Sequence, residues 1–568
     1  MWVPQVLKIF SLVLVLVFAE VVSCVPNLNE VRNDGEPKTT KKTSSTNDGP
    51  PHIILMLADD MGWYNAPWNG NAEIQERMPF IHSLSQTGVI LDRHYSYKYC
   101  SPARSSLLSG RFPLHVTQNN KNNLITNPGG ADLRMTLLPQ QIKHASNSSY
   151  KTACIGKWHV GGRSTANLPT SRGFDHHFGF LKGGQDHFTQ INTDTHNMPF
   201  VDLWSQQAPA FGRNGTYSTY LYAMDAVNLI QQHSPKTKPL FLYLAWQAMH
   251  GPLEAPPEYE TPVDNDSPHR ARSRMNAMAA ILDEGVQNVT RALRESGLYE
   301  NAILIFSSDN GGWIQAEYGG NNYPLRGGKV TDFEGGVRAA AFVTGGYVER
   351  HAPHLVGTRS NLLVHLVDWY ATLVGLAGSG QNNETRTRPI EDENDDVPPV
   401  DSRDFWHALI TPNNTNVTAV RHEIPLSYCT PEAECDFPGG TGDHALIDWP
   451  WKVVNGTQGG LGVWQGTQFP NATKRIPMPG PDAGCPNGCL FDIEKDPTEH
   501  VNVKDQYPIV FRRLWDRLLE VGQGVYQTNY DGGAKTCLPV STAYKRDKGY
   551  LAPRCTVDDD AEMAAEAQ

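Results

Sequence analysis

His52-Ile-Ile-Leu-Met-Leu-Ala58 runs directly into Asp59-Asp60. A run of this length, apolar on both faces from Ile53 to Ala58, reads as a strand buried on both sides, and such strands belong to parallel sheets covered by helices. The two carboxylates fall just beyond the carboxyl end of that strand, where open parallel sheets place their ligands. Adjacent carboxylates cannot both be desolvated without a cation, and hard oxygen ligands suit Ca²⁺ or Mg²⁺. The plain alternative is a turn or a helix cap.

Outward from this strand, short apolar runs recur at 150–155, 239–246, 302–307 and 338–343, separated by helical periodicity, notably over 216–232 and 271–296. Alternating strand and helix predicts an α/β fold, a large and mostly parallel sheet sandwiched by helices, over residues 51–377. Residues 378–400 read as an acidic linker around Glu391-Asp-Glu-Asn-Asp-Asp396. Residues 401–568 carry shorter strands, Gly-Pro turns, clustered Cys and one amphipathic helix near 508–521. They predict a smaller α+β domain with an antiparallel sheet and disulfides.

The 568 residues carry 48 Lys and Arg against 60 Asp and Glu, a net charge of −12. With a mean hydropathy of −0.44, this is a globular composition with no broad basic face, which argues against nucleic-acid binding. Residues 1–24 resemble an export signal, with Lys8 before a short apolar run and small residues before Val25; a signal anchor is the rival reading. Residues 25–50 form a polar leader. No other run is long enough to span a bilayer, so no span is expected in the mature chain. Nine N-x-Ser/Thr sequons, at Asn147, Asn214, Asn265, Asn288, Asn383, Asn413, Asn416, Asn455 and Asn471, fit the secretory route. Six Cys from Cys429 to Cys555 suggest up to three disulfides with the pairing open, in preference to a zinc site of irregular spacing; Cys154 reads as a buried thiol.

The strand-end pattern repeats. Asp309-Asn310-Gly311-Gly312 follows the run at 302–307 and again offers oxygen ligands. Gly156-Lys157-Trp158-His159 follows 150–155, and in extended chain Lys157 and His159 face the same way. His250 follows the run at 239–246. Arg326-Gly-Gly-Lys329, before Glu334-Gly-Gly-Val-Arg338, is a Gly-flanked cation on a loop that can meet an anion. Each alone has a bland alternative, an Asx turn or a structural hydrogen bond. Cys100-Ser-Pro-Ala-Arg104, continuing to Gly110-Arg111, reads as a short helix with Cys100 at its N-terminus, where the dipole favours an anion. Taken alone it also fits a reactive Cys or half of a disulfide.

Cys-x-Pro-x-Arg followed by Leu107-Leu-Ser-Gly-Arg111 resembles the signature of the type I, formylglycine-dependent sulfatase family. Leu57-Ala-Asp-Asp60, Gly156-Lys-Trp-His159, Arg172-Gly-Phe-Asp175, Asp309-Asn-Gly-Gly312 and Lys329 with Glu334-Gly-Gly-Val-Arg338 agree in order, as does Cys489-Leu-Phe-Asp-Ile-Glu-Lys-Asp-Pro497 near the end. Segments 241–250 and 320–327 are most similar to the N-acetylgalactosamine-4-sulfatase (arylsulfatase B) branch. The resemblance implies an alkaline-phosphatase-like fold and oxidation of Cys100 to Cα-formylglycine by a formylglycine-generating enzyme. It further implies a divalent cation, Ca²⁺ with Mg²⁺ as the other option, on Asp59, Asp60, Asp309, Asn310 and the modified Cys100. Lys157, Lys329 and His250 would grip the sulfate and assist the leaving oxygen. Arg104 would order the hydrated aldehyde, whose one hydroxyl attacks sulfur, and His159 would help deprotonate the other so that sulfate is expelled. The implied substrate is an aryl sulfate or a sulfated glycan such as one with 4-sulfated N-acetylgalactosamine, in a lysosomal or extracellular setting. A phosphodiesterase or phosphonate hydrolase of the same superfamily, and a non-catalytic matrix protein, are the alternatives.

Overall fold

The apolar run that leads into Asp59 is strand β1 (His52–Ala58), buried at every residue. The structure, a computed structural model, describes residues 49–556 apart from 119–129, 194–197, 234–237, 261–268, 379–395, 430–441, 471–482, 527–535, 539–541, 543–544, 552 and 554. The export signal, almost all of the leader, most of the acidic linker, and Asn265, Asn383 and Asn471 lie outside the described residues.

In chain order there follow β2 (Val89–Leu91), β3 (Lys151–Lys157), β4 (His176–Phe180), β5 (Trp204–Ser205), β6 (Ala208–Pro209), β7 (Leu240–Ala245), β8 (Ala302–Ser308), β9 (Ala341–Thr344) and β10 (Thr358–Ser360). They form one sheet in the order β10-β2-β9-β8-β1-β7-β3-β4-β5-β6. The run from β8 through β1, β7 and β3 to β4 is parallel. β9 is antiparallel to β8 and β2, and β5 to β4, giving the mixed, mostly parallel sheet the sequence predicts. Register levels the strand ends: Ala58 pairs with Ser308, Leu57 with Ala245, and Ala245 with Gly156.

Alternate residues of β1 divide between two apolar layers. Ile53, Leu55 and Leu57 join the layer holding Ala103, Leu107 and Leu108 of helix α1 (Cys100–Ser109). Ile54, Met56 and Ala58 face the layer of α2 (Ser218–Gln232) and α3 (Arg270–Glu295). Burial on α3 recurs at Met278, Ile281, Leu282, Val286, Val289 and Leu293, the three-to-four spacing of one helical face. Each such side chain contributes about 1.5–3 kcal/mol by leaving water.

Two boundaries differ from the sequence reading. β3 continues to Lys157 because Gly156 and Lys157 still pair with neighbouring strands. β9 starts at Ala341 because Glu334–Val337 takes a helical turn first.

A second sheet holds β11 (Glu423–Tyr428), β12 (His444–Asp448), β13 (Trp451–Gly456) and β14 (Cys485–Asp492), antiparallel in sequence order. One face packs Ile424, Leu426, Ile447 and Phe491 against Tyr95, Phe112, Phe333 and Val337. The other packs Leu446, Val453 and Leu490 against Leu514 and Leu518 of α4 (Pro508–Gly522). Cys485 and Cys489 are bonded to each other, Cys429 and Cys555 are each engaged in a disulfide, and Cys100 and Cys154 are buried free thiols. Asn147, Asn214, Asn413 and Asn416 are exposed, whereas Asn288 and Asn455 are half-buried.

Candidate active site

Four neighbouring strand ends supply the site: β8 delivers Asp309 and Asn310, β1 delivers Asp59 and Asp60, β7 leads to His250, and β3 ends in Lys157 with His159 two residues on. The parallel register brings these segments, distant in sequence, to one level. Backbone bonds lock them, with Asp59 N–H donating to Ala248 O at 2.9 Å and Asp309 N–H to Ala58 O at 3.1 Å.

Each carboxylate holds a cation. Lys157 Nζ donates to Asp59 Oδ2 at 2.6 Å, Lys329 Nζ lies 2.8 Å from Asp60, and Arg104 donates through Nε and Nη2 to Asp309 Oδ2 at 3.0 and 2.8 Å. Three acids and three bases therefore balance in a buried space. Cys100, the first residue of α1, points its Sγ to 3.4 Å from Asp59 Oδ1 and 3.9 Å from Asp60 Oδ1. Arg104, one helical turn on, lies 3.5 Å from Asp59 Oδ1, although its main partner is Asp309. His250 Nε2 is 3.7 Å from Asp60 Oδ2.

Burial alone would push the Asp59 carboxyl up, but Lys157, His250, Arg104 and Lys329 outweigh it and hold it far below the usual carboxylate range. Asp309 is pushed up to about 6 by burial and the Asp59 charge, with Arg104 opposing. Burial raises the Cys100 thiol, so the sulfur is a neutral thiol and a poor nucleophile as it stands. His159 is held well below its usual value by burial and then by Lys157 and Arg104. Burial and Lys329 lower His250, with Asp59 and Asp60 opposing.

A divalent cation fits the donor set. Ligand atoms of Asp59, Asp60, Cys100 and His250 lie within 4.8 Å of one another. Asn310 Nδ2 donates to Asp60 Oδ1 at 2.7 Å, while its Oδ1 is buried with no hydrogen-bond partner among the described residues. A lone buried acceptor beside three carboxylates is what a hard cation requires.

The extended-chain argument for Lys157 and His159 needs correction. His159 has φ +54°, so strict alternation fails there, and its imidazole reaches the site from a left-handed turn. It lies so close to Gly183 that a Cβ there would stand 2.7 Å from its Cε1, and one on Gly184 would stand 3.0 Å from Cε1 of His250. Glycine at both positions lets one loop lie against both imidazoles. On the loop from 326 to 338 Lys329 reaches Asp60, while Arg326 donates to Gly462 O and stacks between Phe333 and Trp464, and Arg338 donates to Asp92 O. Trp313 was not singled out by the sequence reading, yet its ring centroid is 4.8 Å from Lys329 Nζ. An aromatic one residue past Asp309-Asn-Gly-Gly312 was the available signal.

Comparison with known proteins gives the family and the fold. The family model described as Sulfatase matches residues 51–379. Arylsulfatase J of Mus musculus is 34% identical over 499 residues, covering 84% of this chain and 77% of that protein. N-acetylgalactosamine-6-sulfatase of Homo sapiens is 30% identical over 346 residues, covering 58% of this chain and 62% of that protein. Among solved structures, Ps i-CgsB in complex with k-i-k-neocarrahexaose superimposes with a TM-score of 0.64 at 23% identity, covering 88% of this chain and 98% of that one. The phosphonate monoester hydrolase of Agrobacterium radiobacter gives 0.51 at 17% identity, covering 84% and 97%, a likeness of fold.

Proposed function

The chain belongs to the sulfatase family, and from that premise we propose that it hydrolyses sulfate monoesters on glycans, 4-sulfated N-acetylgalactosamine units foremost, and aryl sulfates in vitro. The observation that carries the reading is the convergence of Cys100 with three carboxylate–cation pairs at four adjacent strand ends.

Asp59, Asp60, Asp309, Asn310 and the side chain at 100 would hold the divalent cation, Ca²⁺ before Mg²⁺. When bound, it would neutralise the carboxylates and polarise the sulfate. Oxidised to an aldehyde and hydrated, the side chain at 100 supplies a nucleophilic hydroxyl and a second hydroxyl that a Ser or Cys lacks.

The remaining work falls to residues of the chain. Lys157 and Lys329, no longer needed by carboxylates, can turn their N–H donors to sulfate oxygens, Lys329 to the bridging oxygen that leaves, and both are buried enough for that charge to act in a low dielectric. His250, on the side of Asp60 and Lys329, would give a proton to the leaving oxygen. His159 Nδ1 is buried and without a partner among the described residues, and its lowered pKa keeps it a neutral acceptor. Arg104 would order the side chain at 100, through Asp309 and Asp59.

A lysosomal or extracellular site of action fits this chemistry and the sequons. No helix among the described residues is long and apolar enough to cross a membrane. The test is peptide mapping around residue 100, coupled to hydrolysis of oligosaccharides sulfated at the 4- or 6-position and of a matched phosphate ester. An oxidised residue 100 and preference for the 4-sulfate are expected; unmodified thiol in active protein, or preference for the phosphate, overturns the reading.

A further inference from the structure

Trp313 sits immediately beyond the turn that carries Asp309 and Asn310, and the mechanism above gives it no task. Its ring lies under the Lys329 ammonium, with Nζ 4.8 Å from the centroid. Tyr318 stacks on the same indole, centroids 4.4 Å apart and planes 21° from parallel. The loop between them closes on itself, Gly320 N–H donating to Trp313 O at 3.2 Å and Tyr318 N–H to Gln315 O at 3.0 Å. Tyr318 in turn rests against Gly251, where a Cβ would stand 3.3 Å from its ring. Gly251 is the residue after His250. The aromatic pair thus bridges the segments that carry Lys329 and His250.

An aromatic face attracts a cation without accepting any of its hydrogens. An ammonium has three donors, and a carboxylate in the place of Trp313 would take one of them and cancel the charge. The indole sits under Lys329 and takes none of its donors, so only the one that Asp60 accepts is engaged there.

We propose that Trp313, braced by Tyr318, is a positioning residue that fixes the Lys329 ammonium beside the leaving oxygen. The proposal rests on the reading of Lys329 given above. Its consequence is selective. An alkyl or sugar alkoxide is a poor leaving group and depends on a well-placed cation or acid, whereas a nitrophenolate leaves with little help.

The test compares kcat/KM for a simple alkyl sulfate and for 4-nitrophenyl sulfate in the wild type, Trp313→Phe and Trp313→Leu. Activity on the alkyl ester should fall about fivefold to twentyfold in Trp313→Leu and less in Trp313→Phe, while that on the nitrophenyl ester falls less than about twofold. In a Lys329→Met background, Trp313→Leu should leave the ratio of the two activities where Lys329→Met alone puts it, because the pair acts as a unit. Equal losses on both esters, or an unchanged ratio, overturn the proposal. Should Trp313→Leu not fold, the Trp313→Phe ratio decides alone. If the wild type cleaves neither ester, the reading of Lys329 fails and takes this proposal with it; if it cleaves both and the ratio does not move, only the assignment of Trp313 fails.

Discussion

Lys452→Met should destabilise the protein by an amount that grows with pH. Lys452 Nζ lies 2.9 Å from Glu334 Oε1 and 2.9 Å from Glu499 Oε1, all three side chains fully buried. Tyr95 OH donates to Glu334 at 2.9 Å, and Glu334 N–H donates to Glu499 at 2.7 Å. The cluster ties the loop that carries Lys329 to strand β13. Removing the cation leaves two carboxylates facing each other in the interior, a loss of about 3–5 kcal/mol for a broken buried pair. For a chain of 568 residues the unfolding entropy is about 1 kcal/mol per degree, so Tm should fall by about 3–5 °C. Glu499 sets the pH dependence. Burial, then Lys452 in opposition, then Glu334, leave its carboxyl pushed up to about 7 from a usual value of 4.5. A raised carboxyl gives stability that is complete below its unfolded value and lost as pH rises through the folded one, at up to about 1.4 kcal/mol per unit. Without Lys452 the folded value moves higher still, so the variant continues to lose stability above pH 7 where the wild type has levelled off. Thermal scans at one fixed rate, at pH 5 and pH 8, should show the larger deficit at pH 8. An unchanged Tm, or a deficit equal at both pH values, refutes the argument.

Cys100→Ala should abolish turnover, yet shift Tm by no more than a few degrees, because the thiol's contacts to Asp59 and Asp60 are long; residual activity at wild-type level would overturn its role. Elemental analysis should find one divalent ion per chain, and chelation should remove activity that Ca²⁺ restores; active protein without metal contradicts the assignment. Burial and Lys329 lower the His250 imidazole, so a step that needs it protonated operates at acid pH and is lost as pH rises through that lowered value. With His159 in its proposed role as proton acceptor, kcat/KM should trace a bell with an acidic optimum whose apparent values belong to the coupled site, and a flat or alkaline profile refutes this.

The sequence by itself determined which residues could matter and on what frame. The two-sided burial of β1 is written in His52–Ala58, because only a strand covered on both faces repays a continuous apolar run. The placement of Asp59, Asp60, Asp309, Asn310 and His250 follows from strand runs that end just before them, and Cys100 at the start of α1 from its spacing to Pro102 and Gly110. Local periodicity carries that much because helix and strand are short-range properties. Tertiary structure alone decided which charge meets which. That Lys157 pairs with Asp59, Lys329 with Asp60 and Arg104 with Asp309 depends on the order β8-β1-β7-β3, which no local pattern states. The left-handed His159 broke an alternation rule valid only while the chain stays extended. Arg326 and Lys329 look alike in sequence, yet one is held by backbone carbonyls and aromatic rings and the other reaches the site, because a loop's direction is set by what packs against it. The contact of Trp313 with Lys329 and the Glu334–Lys452–Glu499 cluster were illegible for the same reason: each depends on partners that only the folded chain brings within a few ångströms.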